Sequence, residues 1–473
     1  MATALERFSC SILLLSIGLA AAVTFGVATA HSAEVKVRET SGAWNTAELI
    51  YRALPGESNR VTITSENSPG GYFRITVKDA GSALVPGAGC SGGGGEVHCR
   101  MHEPKWQDTE LCGKGCSNPT PGTGWTSTMR IFLGDEANSF DGSSFTEQYL
   151  GVDMSVESGA GADDLVLGAG EDRVDPGAGA DEVHTGPGFD RIKATAVADG
   201  PDLYDSGTSM DKLSYERREE PVYLADSTAG GAGEGDRLAG SFHLIGGTAN
   251  DILEAGPQSH GQVLDGGPGS DILLGGRAER AALFGGSGSD RISTSGASAD
   301  SFYHLVGEGG NDTYLGGEGS DWIFESFVNT DGGAQAEASP FPESSGGDDI
   351  AYGHGKRDMI ALGTGADRVY GGGGDDEIDG EGGADRLRGG PGQDQLVGGS
   401  GFDGLYGELG SDRLYSGRTP LHVPNFVFPR AVDDGRDHVD CGPGRDIGNV
   451  NPWDRRFRCE TTHLLRHRAA TGP

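Results

Sequence analysis

Between Asp349 and Asp412 the apolar positions of the chain fall into a nine-residue rhythm. Ile378, Leu387, Leu396, Leu405 and Leu414 recur at that interval, each two positions after an aspartate. The flanking residues are polar or glycine, and the stretch reads GGGGDDEID, GEGGADRLR, GGPGQDQLV, GGSGFDGLY and GELGSDRLY. Alternation about a single aliphatic residue predicts a short extended strand with one side chain pointing inward. The glycines before each aspartate predict a tight turn, because a residue without Cβ enters backbone conformations closed to others. Two such units make one coil of a parallel solenoid. Asp367, Asp385 and Asp403 should then stack along one edge, and Asp376, Asp394 and Asp412 along the other.

The turns also carry chemistry. Gly372 and Gly374, with Gly390, Gly392, Gly399 and Gly401 in the later copies, allow several backbone carbonyls to converge beside a carboxylate. Carboxylates and carbonyls are hard oxygen donors of the kind Ca²⁺ takes, six to eight at roughly 2.3–2.6 Å. Stacked coils lie about 4.8 Å apart. At that separation two bare carboxylates repel by about 3 kcal/mol with an effective dielectric near 20. A bridging cation would cancel this repulsion, so ion binding and folding should be one equilibrium.

The nonapeptide G-G-x-G-x-D-x-U-x in these copies resembles the RTX (repeats-in-toxin, haemolysin-type) calcium-binding repeat. The resemblance implies an all-β chain built around a parallel β-roll, with Ca²⁺ as cofactor held at Asp349, Asp358, Asp367, Asp376, Asp385, Asp394, Asp403 and Asp412. A first, weaker block reads SGAGADDLV, LGAGEDRVD, PGAGADEVH and TGPGFDRIK. Here Asp163, Asp172, Asp181 and Asp190 keep the spacing, but Ser158, Leu167, Pro176 and Thr185 replace the first glycine. Further candidates are Asp271, Asp290, Asp312 and Asp321. With Asp251 they follow at intervals of 20, 19, 22 and 9, as if mostly one edge of each coil keeps its turn. The best-known members of the family leave the cell without an N-terminal signal, whereas this chain has one, so their toxin and protease associations are not carried over.

The remaining segments divide the chain. Residues 1–30 read as a secretory signal peptide: Arg7, an apolar run from about Ile12 to Val27, then Ala28-Thr29-Ala30. No later segment is long and apolar enough to span a membrane once that signal is removed. Residues 31–150, with alternating strands such as Val61–Thr64 and Tyr72–Val77, predict a small antiparallel β-sandwich-like domain. The first roll block spans 151–193, an insertion 194–245, a degenerate roll 246–324, a loop or hinge 325–346, the regular roll 347–417, and a cap with a basic tail 418–473.

A net charge of -35 argues against nucleic acid or anionic membranes as partners and for cations. Six cysteines remain after the signal, and an exported chain pairs them. Local pairing would join Cys90 to Cys99, Cys112 to Cys116 and Cys441 to Cys459; zinc held by Cys99, His102, Cys112 and Cys116 is the alternative. The chain contains no His-Glu-x-x-His, no G-x-S-x-G set as a nucleophile elbow after a predicted strand, and no phosphate-binding loop with Lys-Ser/Thr. It therefore reads as a secreted, non-enzymatic calcium-binding protein. An adhesin or cell-envelope component with a cell-surface or polysaccharide partner is a second reading, and a polysaccharide-active β-helix enzyme a third.

Overall fold

The computed structural model describes residues 32–41, 45–68, 72–102, 125–146, 152–225, 227–232, 234–256, 260–324, 347–417 and 436–464. The expected signal peptide, the loop at 325–346, and Cys112 and Cys116 lie outside them. Every regular element among the described residues is a β-strand. None of them is a helix long and apolar enough to cross a membrane.

The nine-residue period sets the local structure. Only three residues separate one glycine turn from the next, so the strands of the regular coils are as short as Glu377–Asp379, Gln395–Val397 and Arg413–Tyr415. These three pair in parallel with Ile378 beside Leu396 and Leu396 beside Leu414, one coil of 18 residues apart. On the opposite wall Val369, Leu387 and Leu405 align in the same way. All of these aliphatic side chains are fully buried. Each layer of the core is therefore two facing side chains, one from either wall.

One wall runs without interruption through the described coils as parallel strands, from Asn45–Arg52 to Thr461–Leu464. From Tyr223 onward it faces a separate 11-stranded sheet that ends at Arg455–Phe457. At the N-terminal end a small antiparallel group supplies the first strands of the roll. Arg60–Ser68 pairs antiparallel with Tyr72–Asp79, Ile63 opposite Val77, and also runs parallel to Ser139–Asp141. Asn45–Arg52 pairs antiparallel with Ser32–Thr40 and parallel with Trp125–Phe132. This arrangement covers an edge that would otherwise invite further strands.

Between 194 and 245 the coil widens. Leu203–Ser214 is one long strand that contributes to both walls, with an irregularity between Asp205 and Met210. Thr228–Ala229 folds back antiparallel on Asp236–Ile245. Within the charged run at 216–220, Arg218 is turned wholly inward against Glu234, the two side chains being 1% and 0% exposed. Its guanidinium donates to Glu234 Oε1 at 2.6 Å and to the Thr195 carbonyl at 2.8 Å, so the buried charges are hydrogen-bonded as well as paired.

The roll also continues beyond Ser416. Val439 lies beside Leu405 and Gly448 beside Leu414, and a further coil follows at Arg455–Phe457 and Thr461–Leu464. Disulfides join Cys441 to Cys459 and Cys90 to Cys99, as local pairing predicts. The second of these removes Cys99 from any zinc site.

Candidate metal ladders at the turns

The stacking expected of the aspartates is present. In the regular block the backbone N–H of each aspartate donates to Oδ1 of the aspartate one coil later. Asp349 donates to Asp367 at 2.8 Å, Asp367 to Asp385 at 3.0 Å, and Asp385 to Asp403 at 3.0 Å. On the other edge Asp358 donates to Asp376 at 2.9 Å, Asp376 to Asp394 at 2.9 Å, and Asp394 to Asp412 at 3.0 Å. The first block forms the same contacts, Asp163 to Asp181 at 2.9 Å and Asp172 to Asp190 at 2.8 Å. The spacings of 20, 19 and 22 in the middle block still correspond to one coil each, while Asp321, nine residues after Asp312, stacks on the other edge against Asp358. Asp251, Asp271, Asp290, Asp312 and Asp349 form a single row.

The glycines fit these rows for steric reasons. Gly372, Gly374, Gly390, Gly399 and Gly401 all have φ between +98° and +148°. A Cβ on Gly392 would collide with the Gly374 carbonyl oxygen, and one on Gly383 with that of Gly365. On Gly371 or Gly380, the first position of the motif, it would come within 2.5 Å of the turn's own Oδ2, that of Asp376 or Asp385. Carbonyl oxygens of successive turns are thus stacked beside a closed pocket that holds a carboxylate.

The second carboxylate oxygen defines the chemistry. Oδ2 of Asp163, Asp172, Asp181, Asp190, Asp271, Asp290, Asp312, Asp358, Asp367, Asp376, Asp385, Asp394 and Asp412 is buried and receives no hydrogen bond. Leaving buried acceptors of this kind without a partner is costly, and a charged acceptor more so. Burial is the main force that raises their pKa values: Asp385 to about 9, Asp358 and Asp181 to about 8, and Asp367 and Asp394 to about 7. Neighbouring rungs add to the rise, as Asp403 and Asp367 do for Asp385, while the backbone N–H bond opposes it. A divalent cation would supply the missing partner. Among the described residues no three His, Cys, Asp or Glu side chains converge on a point, so a cation here would need main-chain carbonyls besides the stacked aspartates.

Five rungs are built differently. Asp202 Oδ2 accepts from the Tyr204 hydroxyl at 2.6 Å, Asp236 Oδ2 from the Tyr215 hydroxyl at 2.7 Å, and Asp211 Oδ2 from Thr185 at 2.6 Å. Asp251 Oδ2 accepts the Gly247 N–H at 2.6 Å. Asp321, one of the residues expected to bind metal, accepts the Gly317 N–H on Oδ2 at 2.9 Å and the Thr294 hydroxyl on Oδ1 at 3.3 Å. These carboxylates are satisfied by the protein itself.

Sequence reasoning missed the continuation of the rows through Asp202 and Asp211, and through Asp437 and Asp446. Asp403 donates to Asp437 and Asp412 to Asp446, both at 2.9 Å. A signal existed, since each of these pairs is nine residues apart, but the preceding glycine pattern is degraded.

An all-β parallel roll whose turns stack buried aspartates against glycine carbonyls has the architecture of an RTX-type parallel β-roll. Segments of the chain match the family model described as RTX calcium-binding nonapeptide repeat (4 copies), over residues 157–192, 263–278, 304–324, 344–378, 352–387, 361–396 and 388–418. The chain thus carries RTX repeats in several copies between 157 and 418, and repeats of this family bind calcium. No curated protein matches the chain.

Proposed function

We propose that the protein is exported and non-catalytic, and that its RTX turns bind Ca²⁺ between successive coils and fold with it. One observation carries this reading: two rows of buried aspartates in which Oδ1 accepts the backbone N–H of the preceding coil and Oδ2 of Asp358, Asp367, Asp376, Asp385, Asp394 and Asp412 receives no hydrogen bond. Asp367, Asp385 and Asp403 on one edge, and Asp358, Asp376, Asp394 and Asp412 on the other, would hold the ions together with the glycine carbonyls. The bound ion supplies positive charge where the coil has none. The two disulfides support an oxidising compartment. Affinity should suit extracellular calcium, on the order of 10⁻⁴–10⁻³ M per site.

Calorimetric and circular-dichroism titration of the signal-free chain tests the proposal. Several ions should bind, and β-signal and melting temperature should rise together. An identical spectrum and melting point with and without chelator would overturn it.

A further inference from the structure

The outer face of the 11-stranded wall carries a second periodic array, off the turns. Tyr352, Tyr370, Arg388 and Tyr406 occupy one register across four consecutive strands, and Arg368 and Arg386 the register two residues earlier. The Tyr352 and Tyr370 rings stack with centroids 4.9 Å apart and planes within 5°. The Arg388 guanidinium lies 5.5 Å from each of the Tyr370 and Tyr406 centroids, and Arg386 lies 5.2 Å from that of Tyr406. The stack continues through His438, 5.6 Å from Tyr406.

This composition runs against that of the chain as a whole, whose net charge is -35. Arg368 and Arg386 are exposed and make no ion pair among the described residues. The nearby acids are engaged elsewhere: Glu408 pairs with Arg388 at 3.3 Å, and Asp440 pairs with Arg458. Among the described residues no hydrogen bond occupies the hydroxyls of Tyr352, Tyr370 or Tyr406. The array is therefore a straight row of donors and cations, one set per coil, with its guanidinium groups held in order by the rings between them.

We propose that this face binds an anionic polysaccharide laid along the roll axis, its carboxylates or sulfates on Arg368 and Arg386 and its hydroxyls on Tyr352, Tyr370 and Tyr406. The proposal rests on the roll being folded in calcium. A repeating row matches a repeating polymer, and the charge of the face complements a polyanion that the rest of the molecule would repel. Single-stranded nucleic acid fits less well, because bases need open aromatic faces to stack on and these rings are turned toward one another.

The test is binding of the signal-free, calcium-saturated chain to hyaluronan, chondroitin sulfate, neutral dextran and oligothymidylate at about 0.15 M ionic strength. The two anionic polysaccharides should bind and dextran should not. The double variant Arg368→Gln/Arg386→Gln should weaken binding about tenfold with an unchanged calcium-loaded CD spectrum, whereas Arg173→Gln/Arg413→Gln, the same charge change on exposed residues of the other wall, should not. No binding by the folded chain, equal losses from the two double variants, or tighter binding of oligothymidylate would each overturn the proposal. A chain that folds fully without calcium would instead refute the calcium reading and leave this binding measurement valid.

Discussion

Stripping calcium and then lowering the pH separates the two ways of neutralising the buried rungs, by a cation or by a proton. In the metal-free roll Asp367 and Asp394 sit at about 7, Asp358 at about 8 and Asp385 at about 9, chiefly because they are buried. The same groups titrate near 3.9 in an unfolded chain. A folded value above the unfolded one means that the stability contributed by the protonated group is complete below about pH 4 and is lost as pH climbs toward the folded value. At about 1.4 kcal/mol per pH unit, one aspartate held near 7 costs the metal-free coil about 4 kcal/mol at neutral pH and above. Several such groups stack in each row, so the cost exceeds what a thin two-residue core supplies.

In chelated buffer the β-signal should be weak at about pH 8 and recover at about pH 5, with the melting temperature rising by at least about 10 °C. With saturating calcium the trend should flatten or reverse, since protons then compete with the ion. Thermal melts followed by circular dichroism across this pH range provide the measurement. A metal-free protein that melts at the same temperature at both ends, or higher at the alkaline end, would refute the account of the rows.

Other outcomes follow from single positions. Asp394→Ala should lower the calorimetric calcium stoichiometry, whereas Asp236→Ala, which strands the buried Tyr215 hydroxyl, should cost about 2 kcal/mol in a denaturant melt and leave the stoichiometry unchanged. Gly383→Ala drives a Cβ into the Gly365 carbonyl and should cost about 3 kcal/mol or more in calcium, while Gly373→Ala, whose Cβ would lie 3.7 Å from the nearest oxygen, should stay within about 0.5 kcal/mol; denaturation of both variants checks the pair. Replacing Cys441 and Cys459 by serine opens a link across 18 residues and should cost the last coils about 3 kcal/mol, read as faster amide exchange there. In chelator, amides of Leu203–Ser214 and Asp236–Ile245 should remain better protected than those of Arg386–Gly392 and Gly404–Gly410; equal loss in the four strands would sink the distinction between the two kinds of rung.

The regular roll was legible because its physics is periodic. A fixed interval from Asp367 to Asp412, with an aliphatic residue two places on, specifies the coil, the two edges and the inward side chain all at once. The antiparallel N-terminal strands were legible from alternation at Val61–Thr64 and Tyr72–Val77. Their fusion to the roll was not, because a strand such as Arg60–Ser68 looks the same whether its second neighbour is parallel or antiparallel. The coils at Asp202 and Asp437 escaped notice because insertions separate Asp202 from both of its neighbours and Asp437 from Asp403, 34 residues earlier. A change of length in a loop leaves the stacking intact but erases the visible rhythm.

The fate of each carboxylate was hidden for a different reason. Asp202 and Asp367 occupy equivalent places in the backbone, and both donate their N–H to the next coil, Asp202 to Asp236 and Asp367 to Asp385. What separates them is whether a hydroxyl can reach Oδ2, and that depends on a side chain such as Tyr204 filling the inward slot where the regular coils carry valine or leucine. At Asp202 the phenol gives up some aliphatic packing and supplies a donor, so that coil closes without an ion. Asp211 and Asp251 carry leucine in the same slot and take their donor from outside it, from the Thr185 hydroxyl and the Gly247 N–H. The same backbone turn thus becomes a fixed joint or a metal-controlled one according to whether any donor reaches Oδ2, and a coil set of fixed joints at Asp202, Asp211 and Asp236 separates the first metal-type block from the second.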